Sequence, residues 1–218
     1  MKNEMLKNLI HNLPDSPNLL GRERYFNSAV LVPFIEIENE YHLLFQKRAA
    51  AIRQGSEICF PGGMFDPGKD SDFRDTAIRE TVEELGLDPD SIKIMGQMDT
   101  LVASAGATVD SFPAVLEIRY PEDLVLNRDE VEKTFTIPVS YFKDLPPETY
   151  KVRLEVQPCY TNRKGEEITL LPSKELGLPE TYHKPWGGLH HRVLVYHSDE
   201  GVIWGITAEI IFDLINKL

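Results

Sequence analysis

The stretch Arg79-Glu80-Thr81-Val82-Glu83-Glu84-Leu85-Gly86-Leu87 narrows what this chain can become more than any other. Glu80, Glu83 and Glu84 stand at i, i+3 and i+4, so a helix stacks three carboxylates on one face within about one turn. Like charges that close repel unless something positive sits among them, and hard divalent cations prefer oxygen ligands. Ala77, Ile78, Val82 and Leu85 fall away from the acids and supply a packing face. Gly86 is placed to end the helix as a C-terminal cap. The pair Gly62-Gly63 lies sixteen positions ahead of Arg79 (79 − 63). The pattern predicts a helix over Thr76 to Leu85 that holds a divalent metal beside a glycine loop.

The chain has 218 residues and a net charge of −12, which argues against nonspecific binding to nucleic acid or to an anionic membrane surface. An anionic substrate stays open, because metals and a local basic patch reverse the field at one site. Such a patch exists: Lys47, Arg48 and Arg53 against Glu57 give residues 47–58 a charge of +2 (3 − 1). No apolar run reaches the roughly 18 residues of a membrane span, and Met1 to Leu13 carries no continuous apolar core of a secretory signal. Cys59 and Cys159 make neither a disulfide framework nor a zinc site, so a reducing cytoplasm is expected. The terminal Asn216-Lys217-Leu218 differs at its first residue from a peroxisomal signal.

The pattern reads as one domain over residues 1–218, with an N-terminal helix within 1–20 and a substrate-side insertion over 148–188. Met5, Leu6, Leu9, Ile10 and Leu13 share a helical face, expected to pack, and Pro14 stops that helix. Strands are expected at Ala29 to Ile35, Tyr41 to Gln46, Ile92 to Met98, Thr100 to Ala103, Phe112 to Ile118, Val193 to Tyr196 and Val202 to Trp204. Val131 to Phe135 reads as a short helix or turn ended by Pro138. Lys151 to Pro158 and Ile168 to Leu171 read as a hairpin around Asn162-Arg163-Lys164-Gly165. Ser173 to Gly188 reads as a loop, a lid or substrate wall. A helix begins at Thr207. His190, His191 and His197 read as strand or loop residues, Cys59 as buried and inert, and Trp186 as either a stacking surface or loop packing.

Gly63, Arg79, Glu80, Glu83, Glu84 and Gly86 resemble the Nudix box, a glycine loop followed by an arginine–glutamate helix and a closing glycine. The resemblance implies an α/β fold, the Nudix α/β/α sandwich with a mixed central sheet. It implies Mg²⁺ or Mn²⁺ as cofactor and Glu80, Glu83 and Glu84 as metal ligands, with Arg79 locking the carboxylates by ion pairing. The box usually carries a glutamate six residues after the glycine and eight before the arginine. Here those counts reach Lys69 and Ser71, so the loop is two residues longer, and Asp70 or Asp72 is expected to substitute.

Leu43 to Gly63, ending in Phe60-Pro61-Gly62-Gly63, resembles the upstream motif of the coenzyme A diphosphatase branch. Leu126 to Val139 and Val202 to Ala208 also resemble segments of that branch. The likeness runs from Ala29 to Leu218, and residues 145–190 are poorly covered by it. It implies hydrolysis of coenzyme A, or a derivative, to 3′,5′-ADP and 4′-phosphopantetheine. Alternatives are a Nudix diphosphatase for ADP-ribose or a nucleoside triphosphate, and a Nudix domain that senses a nucleotide without cleaving it. The catalytic set expected is Arg79, Glu80, Glu84 and Glu130, the last as an acid from a separate loop near the metals. The substrate-binding set is Arg48, Arg53, Glu57, Gly62 and Gly63, with Arg48 or Arg53 on the 3′-phosphate because a guanidinium pairs with phosphate as a planar fork. The expected partner is a small nucleotide diphosphate, with no nucleic acid and no membrane, and a homodimer is left open.

Overall fold

A computed structural model describes residues 2–14, 18–104, 106–118 and 120–218. In chain order the elements are α1 (Lys2–Asn12), β1 (Phe26–Ile37), β2 (Glu40–Arg48), β3 (Ile58–Cys59), β4 (Gly62–Met64), α2 (Phe73–Leu85), β5 (Ile92–Ile94), β6 (Leu101–Ala103) and β7 (Ala107–Leu116). They continue with β8 (Val131–Pro138), α3 (Val139–Asp144), β9 (Glu148–Val156), β10 (Cys159–Thr161), β11 (Glu167–Thr169), β12 (Trp186–Ser198), β13 (Gly201–Trp204) and α4 (Gly205–Ile215).

The apolar run Ala29-Val30-Leu31-Val32-Pro33-Phe34-Ile35 becomes the middle of β1, and its lack of alternation is explained by burial on both faces. Ala29, Leu31 and Ile35 point into one core cluster, with Leu44, Ala77, Leu85 and Phe112. Val32 and Phe34 point into the other, with Phe45, Phe60, Phe142, Leu194, Tyr196, Ile203 and Ile211. The sheet is therefore the middle layer of an α/β/α sandwich, with α2 on one side and α3 and α4 on the other. It is mixed. β1 runs parallel to β7, from Phe26↔Ala107 to Phe34↔Val115. Its other edge pairs antiparallel with β2 along Phe34–Ile37 and with β4 along Ser28–Val30. β2 also pairs with β8 and β3, and β7 with β5 and β6. Glu38 and Asn39 turn β1 into β2 with φ of 52° and 65°, the left-handed pair of a tight hairpin.

Phe45 anchors the α3/α4 side. It is fully buried, with ring centroids 4.9 Å from Phe60, 5.7 Å from Phe135 and 6.0 Å from Phe142. Helix α2 begins three residues earlier than its apolar periodicity suggests, because Asp72 caps it: its side chain accepts from the Asp75 N–H at 2.9 Å. It ends at Gly86, with φ 65°, whose N–H returns to the Val82 carbonyl at 2.9 Å. A Cβ there would lie 2.4 Å from the Val125 carbonyl oxygen, so the cap also lets the next segment close over the helix end.

The structure corrects several expectations. Val131 to Phe135 is part of strand β8, not a helix or turn; it pairs with β2 so that Phe135 sits opposite Phe45. Its β-branched and aromatic residues suit that half-buried position. Lys151 to Pro158 does not form a hairpin with Ile168 to Leu171. The turn at Asn162–Gly165 closes the shorter hairpin β10–β11, while β9 pairs with β12. Residues 148–188 thus contain β9, that hairpin, a 3₁₀ turn at Glu180–His183 and the first residues of β12. The expected loop over Ser173 to Gly188 loses its last three residues to β12. Helix α1 exists, but Met5, Leu6, Leu9, Ile10 and Leu13 are 52–70% exposed, so its apolar face does not pack as expected. The rest of the 1–20 segment includes residues 1 and 15–17, which lie outside the described residues.

Phe45→Ala should destabilise the protein by about 3–5 kcal/mol, the usual cost of emptying a buried aromatic site, read as a lower urea midpoint at unchanged slope.

Candidate active site

Strand β4 brings the glycine pair against β1 and in front of α2. Gly63 lets Glu80 come close: a Cβ there would lie 2.4 Å from the Glu80 carboxyl carbon, so a larger residue would displace that carboxylate. The Gly62 N–H donates to Glu84 Oε2 at 3.0 Å. Two of the three glutamates are thus fitted to the glycine backbone, one by close approach and one by a hydrogen bond.

Arg79 organises the acids. Its Nε and Nη2 form a fork onto Asp70, at 2.7 Å to Oδ1 and 2.9 Å to Oδ2. Its Nη1 donates to Glu80 Oε1 at 2.8 Å and to Glu83 Oε2 at 3.4 Å, and Nη2 reaches the Met64 carbonyl at 3.4 Å. Asp70 is buried and also accepts from the Asp66 N–H at 3.0 Å and the Thr76 hydroxyl at 2.9 Å. The Arg79 hydrogen bonds hold its carboxyl well below the usual carboxylate range. Of the two aspartates expected to replace the loop glutamate, Asp70 takes the place beside Arg79 and Asp72 caps the helix instead.

The glutamates differ in environment. Glu84 is 2% exposed, and burial pushes its pKa up to about 7 against the opposing pull of the Gly62 N–H, Gln46 and Arg48. Glu80 is raised by burial, with Arg79 opposing and Glu83 and Glu130 adding like charge. Glu83 has its side chain 52% exposed. Such a donor set, all oxygen and under mutual repulsion, fits a hard divalent cation. Among the described residues no three His, Cys, Asp or Glu side chains already converge as a metal cage. Arg79 holds Glu80 and Glu83 instead.

The other expected site residues divide. Arg48 ends β2 on the same sheet face as Leu44 and Gln46, within charge range of Glu84 and Cys59. Its Nε is buried without a hydrogen-bond partner. Glu130 is tied to this strand end, since its carbonyl accepts from the Ala49 N–H at 2.8 Å. Glu57 accepts from the Arg48 N–H at 2.9 Å through its carbonyl. Arg53 is exposed on the intervening loop. Gln46 was not foreseen. It is fully buried, supports Glu84, and its Nε2 lies 3.8 Å from Cys59 Sγ. The signal was a lone amide inside the apolar strand Leu43-Leu44-Phe45-Gln46. Burial pushes the Cys59 thiol up to about 11, consistent with an inert residue. His190, His191 and His197 lie in β12, exposed, and Trp186 meets the Tyr182 ring edge-on at 5.3 Å.

A sandwich with a glycine strand facing an arginine-latched row of glutamates is the architecture of a Nudix box. Residues 26–154 match the NUDIX domain model, and the chain belongs to that family. It is 30% identical to an uncharacterised Nudix hydrolase, NudL, of Photorhabdus laumondii, over 94% of this chain and 91% of that protein. It is 38% identical to Nudix hydrolase 3 of Caenorhabditis elegans, over 63% of this chain and 59% of the relative. It is 34% identical to the peroxisomal coenzyme A diphosphatase NUDT7 of Mus musculus, over 56% and 50%. The matched region thus spans only about half to three-fifths of the length of the two animal relatives.

Asp70→Asn should cost roughly 2–4 kcal/mol of stability, because it leaves Arg79 short of a buried charged partner. The Asp70 pKa is lowered on folding, so its contribution is present above the ordinary aspartate pKa and fades as pH falls below it. Urea titrations should show a constant gap between wild type and variant above about pH 5, closing below about pH 4.

Proposed function

We propose that this chain hydrolyses the diphosphate of coenzyme A or a derivative, releasing 3′,5′-ADP and 4′-phosphopantetheine or its acylated form. The observation that carries the reading is the strand and loop from Leu43 to Phe60, which deliver Arg48 to the glutamates and Arg53 to the surface just before Gly62-Gly63. The coenzyme A diphosphatase of mouse is among the similar proteins, and its alignment supports the same substrate class.

In this reading Glu80, Glu83 and Glu84 hold Mg²⁺ or Mn²⁺, as Nudix hydrolases generally use divalent metals. When bound, the ion neutralises the diphosphate and makes water a better nucleophile at neutral pH. The chain does the positioning. Asp70 fixes Arg79, and Arg79 keeps Glu80 and Glu83 on one side of the helix. The Gly62 N–H and Gln46 hold Glu84 in place. Glu130, which adds like charge at Glu80, is the group proposed to take the proton from the attacking water. Arg48 and Arg53 are the guanidinium groups proposed for substrate phosphates, Glu57 orients the strand end from which Arg48 projects, and Gly62 and Gly63 let the diphosphate approach the backbone.

Purified protein with Mg²⁺ or Mn²⁺ should form 3′,5′-ADP from coenzyme A faster than it cleaves dephospho-coenzyme A, ADP-ribose or nucleoside triphosphates, with products resolved by mass. Cleavage of another member of the panel instead would keep the box chemistry and discard the coenzyme A assignment. Glu84→Gln, which can still accept from the Gly62 N–H, should lose more than ~100-fold in turnover. Arg48→Ala or Arg53→Ala should erode the preference for coenzyme A over its 3′-dephospho form; unchanged selectivity in both would remove the 3′-phosphate role.

A further inference from the structure

The sheet β13-β12-β9 ends on β9, and among the described residues β9 pairs with β12 alone. All nine of its residues are exposed. Tyr150, Val152, Leu154 and Val156 alternate along one face at 55%, 47%, 39% and 52% exposure, beside Leu189 of β12 at 76%. A long apolar edge with free backbone groups is a template for another strand.

The other face says which strand fits. Across β12, Lys151 stands opposite Arg192 and Arg153 opposite His190. Neither partner is acidic, so the closed side gives Lys151 and Arg153 no cross-strand carboxylate. Among the described residues Arg153 finds one only along its own strand, Glu155, at 2.5 Å. The open side is free to supply the complement.

We propose that β9 pairs antiparallel with β9 of a second copy, on a two-fold axis through Leu154. In that register Val152 faces the second copy's Val156, Leu154 faces its own counterpart, and Arg153 and Glu155 face each other in both directions. Two charge pairs then lie on one face of the joined sheet and a continuous apolar stripe on the other, and two three-stranded sheets become one of six. A register centred on Val152 sets Lys151 against Arg153, and one centred on Arg153 sets that arginine against itself. The sequence Val152-Arg153-Leu154-Glu155-Val156 is self-complementary only about Leu154. An isologous contact of this kind closes after two copies.

Sedimentation velocity on the full chain, across about 1–100 µM, tests it. Wild type should approach a dimer of the 24.8 kDa chain with rising concentration. Arg153→Glu should weaken association about tenfold or more, since the two-fold counts the change twice. Arg153→Glu with Glu155→Arg should restore it, which a folding defect would not. Lys151→Glu should leave it unchanged, because Lys151 lies beyond the paired segment. A wild type that stays monomeric at the top concentration, or a dimer indifferent to Arg153→Glu, overturns the proposal. Equal loss in Lys151→Glu overturns the register.

Discussion

The fork between Arg79 and Asp70 is the interaction on which the rest of the site depends. One guanidinium spends two donors on a buried aspartate and the others on Glu80, Glu83 and the Met64 carbonyl. The first pair of bonds fixes the plane of the fork. The remaining donors then face the acids that share the helix. Asp70 can serve only because it is itself held by the Asp66 N–H and the Thr76 hydroxyl, so the loop and the first turn of α2 are set by the same carboxylate. Without that anchor, three glutamates within about one helical turn would repel with nothing to orient them.

Much of this could be read from residue order. The acid spacing placed the helix and its closing glycine, and the apolar run of β1 announced a buried strand. The aspartate in the longer loop was legible as a pair of options. Choosing between them needed the fold, because Asp70 and Asp72 differ only in whether the side chain turns inward to Arg79 or forward over the helix end. Gln46 was missed since strand periodicity registers polarity and not which neighbour a buried amide supports.

The misread segments share a cause. Val131 to Phe135 shows no clean alternation, and its strand pairs with β2 so that Phe135 meets Phe45, a residue ninety positions away (135 − 45). The Asn162–Gly165 turn was correctly placed by its local chemistry, with the Asn162 side chain accepting from the Lys164 and Glu166 N–H groups. Which strands flank it was decided elsewhere, by β12 taking β9 as its neighbour. Local turn signals fix where a chain reverses and leave open which strand it meets next.

Strand β1 carries a consequence for how this protein fails. It pairs with β7 on one edge and with both β2 and β4 on the other. A slip of one residue would exchange its two core faces, and the same slip would carry Gly62 and Gly63 away from Glu84 and Glu80. The glycine strand takes its place from that register and meets the acid helix directly, through the Gly62 N–H on Glu84 and the Met64 carbonyl on Arg79. A change that shifts the pairing of β1 is therefore also a change in the site, because the strand that carries the core carries the glycines too.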